Sequence, residues 1–256
     1  MKRNKIKPKY LSIINNCDKE NNSIDNWALE KKIFKGVIPL IWILLMLIWG
    51  VIPVVILNIL GIDIDSLSNS TTIFISFIND LVFISILIKV YYKELKRDFK
   101  NYFNKDFKKH FKEAISYWLI GLGVMVIANY VIAIIFNGQL TENEETVRSL
   151  IQVAPLYMVF QLIVYAPITE ELIFRKSIRK VITNKYLFAI ISGVVFGGLH
   201  VISSVTDFTS LLYLIPYCSL GITFGLLYVK SDNIFSTMMV HAIHNTLALI
   251  VYLTSL

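Results

Sequence analysis

The sequence predicts an all-α protein, a polytopic transmembrane helix bundle of seven spans, or eight if its first hydrophobic stretch is split. Three observations carry that expectation. Of 256 residues, 55% are hydrophobic and only 17% are charged, against about 25% charged in an average soluble domain. Seven stretches hold the roughly 20 mostly apolar residues needed to cross a hydrocarbon core of about 30 Å. The basic residues, finally, collect in alternate connections between those stretches. Other classes are excluded: with 11 Gly, 6 Pro and 2 Cys, the chain is not collagen-like, disordered or disulfide-stapled. Cys17 and Cys218 lie far apart and outside any CxxC, so no zinc-finger or redox motif is available.

Residues 1–36 form a polar, basic tail, and the first apolar run begins too late for a signal peptide. Val37–Leu60 follows, long enough and with Pro39 and Pro53 to be kinked or split. Thr71–Tyr92 and Ala114–Phe136 are the next spans. A fourth runs from about Val153 into the 170s, and Tyr186–Val205, Thr209–Val229 and Ile234–Thr254 complete the set. The connections are too short for a second domain and no internal repeat is visible. Residues 37–256 therefore read as one membrane-embedded domain.

Nine Lys or Arg lie in the tail, nine between Lys89 and Lys112, five between Arg175 and Lys185, and Lys230 follows the sixth span. The alternate connections hold Asp63 and Asp65, then Glu142, Glu144, Glu145 and Arg148, then Asp207. This places 24 of 25 basic residues on one side. The positive-inside rule makes that side cytoplasmic, with the N-terminus inside. The net charge of +7 is thus a topology signal, and no nucleic-acid partner is expected. Abundant Lys, Asn and Ile suggest an AT-rich genome and a bacterial cell membrane. Within Glu94–Glu113, Leu95, Phe99, Phe103, Phe107 and Phe111 recur every four residues among lysines. Such a helix could lie on an anionic leaflet or pack under the bundle.

Charged residues inside spans cost about 2.5–3.5 kcal/mol each on insertion scales, so each asks for a reason. In the fourth span Glu170 and Glu171 precede Arg175. At a spacing of four, Glu171 can pair with Arg175, leaving Glu170, about 100° round the helix, free to face a cavity. His200 lies in the fifth span after Gly197 and Gly198, which permit close approach of a neighbour. His241 and Asn245 share a face of the seventh. Singly, each could be an interfacial ion pair or a hydrogen bond between helices. Together they supply a base, a charge to orient it and donors for an oxyanion. Asn79 and Asp80 in the second span have no patterned partner and read as packing or cavity residues. By helical rise, Glu171 lies roughly 14 Å from Lys180, His241 about 11 Å from Ile234 and His200 about 21 Å from Tyr186. These depths meet only with helix tilt or a later start to the fifth span. The sequence has no HExxH, no GxGD aspartate pair and no Gly-x-Ser with a downstream helix histidine, so three other intramembrane chemistries are excluded.

Glu170-Glu171-Leu-Ile-Phe-Arg175, Phe196-Gly-Gly-Leu-His200 and His241-Ala-Ile-His-Asn245, in that order, resemble the EExxxR, FxxxH and HxxxN motifs of a known family. It is the CAAX protease and bacteriocin-processing (CPBP, or Abi) family of intramembrane endopeptidases, which includes the type II CAAX prenyl endopeptidases. The resemblance covers roughly residues 150–250. Lys176 departs from the glycine often found there, and His244 is an extra imidazole. The resemblance implies that Glu170 is the general base activating water, with His200 helping to hold it. His241 and Asn245 would bind the oxyanion, and Arg175 with Glu171 would organise Glu170. A metalloprotease variant would place zinc on Glu170 or Glu171 with His200 and His241. The implied substrate is a hydrophobic or membrane-inserted peptide or protein beside the lipid bilayer, with a role in bacteriocin processing or self-immunity. Two other classes stay open: a proton-coupled transporter, and a non-catalytic membrane scaffold or immunity protein.

Overall fold

The computed structural model describes residues 36–104 and 107–255; apart from Gly36, the predicted polar tail lies outside them. Ten helices and no strand are found among the described residues. The first hydrophobic stretch is two pieces, α1 (Gly36–Trp49) and α2 (Ile52–Ile59), bent by 55°. Its cause is Pro53 in the first turn of α2, which cannot donate to Trp49 O four residues back. The side chain of Asn79 donates to that carbonyl instead (3.2 Å), and Trp49 Nε1 returns a hydrogen bond to Asn79 O (2.9 Å). The pieces measure roughly 21 and 12 Å, each too short to cross alone. They form a broken span or a re-entrant loop, which gives six spanning helices or, with this pair counted as one, seven among the described residues, and the eight-span alternative is excluded.

Six further helices are long and apolar enough to cross a membrane: α3 (Asn69–Val90), α5 (Phe107–Ile135), α7 (Pro155–Ser177), α8 (Lys185–Ser204), α9 (Thr209–Ser231) and α10 (Ile234–Thr254). Two more, α4 (Tyr92–Asn104) and α6 (Glu142–Val153), are connectors. Local chemistry sets their ends. Ser68, Thr141, Asn184 and Asn233 accept hydrogen bonds from the free N–H groups of α3, α6, α8 and α10. Asp232, in the left-handed region at φ 46°, turns the chain from α9 into α10. The bundle is inverted relative to a water-soluble protein. Leu156, Ile127 and Ile59 are exposed, while Thr169, Glu171, Arg175 and Ser192 are wholly buried. This is the arrangement expected when the surrounding solvent is lipid.

Helices α8 and α9 approach most closely, through Gly193 and Gly197 on one and Gly221 and Gly225 on the other. A Cβ on Gly193 would lie 2.5 Å from Ile222 N, and one on Gly221 would lie 2.8 Å from Gly193 Cα. Gly198, expected to serve this contact, faces open space. Helix α4 docks through its buried Asp98 and Tyr102, while Phe99, Phe103, Phe107 and Phe111 form an exposed ladder with centroid spacings of 4.6, 6.1 and 5.9 Å. The expected packing under the bundle is therefore seen on the Asp98–Tyr102 face. Gly221→Val should lower the thermal midpoint in detergent by several degrees, since overpacking costs about 1–3 kcal/mol. Gly198→Val should leave it within error. Equal effects would contradict the assigned contact.

Candidate active site

The site begins in α7, which contains two π-helical stretches, Gln161–Tyr165 and Glu171–Ser177. Such widened turns alter side-chain directions and recur at functional positions. Glu171 still meets Arg175, its Oε2 3.3 Å from Nε, and neither side chain has any exposed surface. Arg175 Nη2 also donates to Gly221 O (3.2 Å) on α9. The rings of Phe196 and Phe224 flank its Cζ at 4.8 and 5.7 Å.

From α10, His241 Nδ1 meets Glu171 Oε1 at 2.9 Å, which assigns the proton to Nδ1 and the donation to the carboxylate. Its Nε2 lies 3.7 Å from Glu170 Oε2. The imidazole therefore bridges both glutamates, instead of Glu171 being neutralised by Arg175 alone. Glu171 Oε1 meets His241, while Glu171 Oε2, beside the Arg175 charge, and Glu170 Oε2 are both buried with no hydrogen-bond partner among the described residues. A buried acceptor beside an imidazole nitrogen is an arrangement that can bind and polarise water.

His200 is placed apart. Its Nδ1 lies 2.8 Å from its own helix's Phe196 O, and its ring stacks on Tyr217 at 5.1 Å. The ring of Phe196 packs against both His200 (4.4 Å) and His241 (6.1 Å). Among the described residues, no three His, Cys, Asp or Glu side chains are grouped to hold a metal ion. The zinc set of Glu170 or Glu171 with His200 and His241 does not fit this arrangement.

Asn245 has a structural partner not foreseen from its motif. Ala166 N bonds back to Gln161 O in the first π stretch. The next bond in that register would run from residue 167 to Leu162 O, but Pro167 has no N–H. Asn245 Nδ2 donates to Leu162 O at 2.8 Å. One of its two amide protons is thereby committed, and one remains for a ligand.

Other features were not legible in the motifs. Phe224 carries no pattern that marks it. Asp98 on α4, however, is the counter-charge to Lys176: the two are 2.5 Å apart and both are buried. Lys176 is thus turned away from the Glu170 cluster. Nearby, burial works against the charge of Glu94, but the Lys180 ammonium at 2.8 Å outweighs it and holds that carboxyl below its usual range. His244, the extra imidazole, accepts from Trp118 Nε1 (3.4 Å) on α5.

Comparison with known proteins points to the same stretch. The family described as type II CAAX prenyl endopeptidase Rce1-like matches residues 152–247, from α6 through most of α10. The "Putative membrane peptidase YdiL" of Bacillus subtilis (strain 168) is 31% identical over 183 residues, 70% of each chain. The "UPF0177 protein YxdF" of Lactococcus lactis subsp. lactis (strain IL1403) is 31% identical over 132 residues, 49% of this chain and 71% of the relative. No solved structure matches the chain.

The Asn245 contact generates a prediction. Asn245→Ala should lower the thermal midpoint in detergent by an amount corresponding to about 1–2 kcal/mol, because Leu162 O loses its donor. An unchanged midpoint would contradict the structural role.

Proposed function

This chain belongs to the Rce1-like family of type II CAAX prenyl endopeptidases, and from that premise we propose that it is an intramembrane endopeptidase using a glutamate-activated water. The observation that carries the reading is the buried, unpartnered Glu170 Oε2 beside His241 Nε2 at 3.7 Å. Water held between these atoms gives a proton to Glu170 and attacks the scissile carbonyl. His241, fixed through Nδ1 by Glu171, offers Nε2–H to the developing oxyanion when the imidazole is protonated, and the second amide proton of Asn245 is the further donor. The proton on Glu170 then passes to the leaving amine. Arg175 acts indirectly by holding Glu171, and hence the His241 ring. With its proton on Nδ1 and donated to Phe196 O, His200 has an acceptor Nε2 that can take a proton from substrate or water.

The substrate class is a hydrophobic or membrane-inserted peptide or protein reaching the site from the bilayer. A bacterial cell membrane with the N-terminus cytoplasmic is the setting that the charge distribution supports, and bacteriocin processing or self-immunity is the corresponding biological role. Zinc is left as an outcome of the test, because the grouped donors do not favour it.

The test is cleavage of a membrane-peptide library by purified full-length protein in liposomes. Glu170→Gln should lose about 10²–10⁴-fold in rate, the usual contribution of a general base, and His241→Ala should lose activity as well. Cleavage surviving Glu170→Gln, His200→Ala and His241→Ala would overturn the reading. Chelators should leave the wild-type rate intact. A sustained loss restored by zinc would instead replace the metal-free mechanism.

A further inference from the structure

Asp80 lies within the α3 span and is only 7% exposed. Tyr157 OH donates to its Oδ2 (2.7 Å); Gln161 Nε2 donates to the same oxygen and also to Tyr157 OH (2.7 Å). Both donors converge on one oxygen, which leaves Oδ1 as the end open to a cation or a proton. Oδ1 receives no hydrogen bond from the described residues, and no Lys, Arg or His among them forms an ion pair with Asp80. A lone negative charge at this depth is costly unless a cation compensates it.

The structure provides space for one. Asp80 and Tyr157 line a cavity of about 110 Å³ under the α1–α2 bend, together with Thr72, Ser76 and Asn79. The polar side chains around it carry oxygen, with no imidazole or thiolate among them. Asn79 Nδ2 is committed to Trp49 O, so the oxygen of that amide is the end left for a ligand. A volume of this size holds a small ion with a few waters, each occupying about 30 Å³ in the liquid. One carboxylate with neutral oxygens matches a hard ion of single charge, and a divalent ion would leave an excess positive charge inside the span.

We propose that this cavity binds a small monovalent cation of the sodium type, held by Asp80 with the oxygens of Ser76, Thr72, Asn79 and Tyr157. The bound ion joins the bent α1–α2 pair, α3 and the first π stretch of α7. Leu162, the neighbour of Gln161, is the residue whose carbonyl Asn245 holds. Cation occupancy therefore stiffens the part of α7 that leads to the Glu170 cluster. This inference does not depend on peptide hydrolysis.

Thermal unfolding of the full chain in detergent, with sodium chloride exchanged for choline chloride at constant ionic strength, tests it. The wild-type midpoint should rise by about 3–5 °C when sodium exceeds its dissociation constant tenfold, and go on rising logarithmically beyond it. Asp80→Asn should abolish that rise. The Thr72→Val/Ser76→Ala double variant, which keeps the charge, should move the onset of the rise to about tenfold higher sodium, and it decides the matter if Asp80→Asn does not fold. A wild-type midpoint identical in sodium and choline would overturn the proposal. So would a full sodium response in Asp80→Asn, or in the double variant with an unchanged onset.

Discussion

A guanidinium and a carboxylate with no exposed surface, 3.3 Å apart inside a helix bundle, constrain everything around them. Removing two such charges from water costs several kcal/mol each, and their attraction offsets this only if surrounding groups complete the polar contacts. The neighbours do so in part: Gly221 contributes a carbonyl from α9, Phe196 and Phe224 flank the cation, and His241 donates to the anion from α10, while Arg175 Nε and Nη1 and Glu171 Oε2 have no hydrogen-bond partner among the described residues. The pair, on α7, thus meets α8, α9 and α10 at one point. The glycine-lined approach of α8 and α9 serves the same end, because a side chain at residue 221 would push α9 away from α8.

A second constraint recurs twice. In lipid every backbone carbonyl must find a donor within the protein, and an intrahelical proline removes one. Pro53 leaves Trp49 O to Asn79, and Pro167 leaves Leu162 O to Asn245. These asparagines are therefore part of the architecture as well as candidates for ligand contact. The two repairs flank the Asp80 network, which joins α3 to α7 between them.

Much of this could be read from residue types. The span boundaries follow apolar length, which the bilayer fixes independently of tertiary packing. Glu170, Glu171, Arg175 and His241 stand out because charge in such a segment is costly, and the fold brings these four together. What could not be read depends on backbone register and on contacts across the bundle. The π turns in α7 change where Glu171 points, so both glutamates reach His241. The Phe196 ring that packs against both His200 and His241 is likewise a matter of packing, invisible to helical rise. Lys176 was visible as a departure from the motif, whereas its partner Asp98 is 78 residues away on a helix whose phenylalanine period suggested a different buried face. For Asp80 no local spacing signals Tyr157 and Gln161, which come from another span.

The central claim is that Glu171 and Arg175 act as one unit. A double-mutant cycle on thermal or denaturant stability in detergent, with Glu171→Gln, Arg175→Met and both together, measures this most directly. Each single change should cost about 3–5 kcal/mol by leaving an uncompensated buried charge, and the double change should cost far less than the sum. Additive losses would mean that the two charges do not depend on each other, and the account built on them would fail.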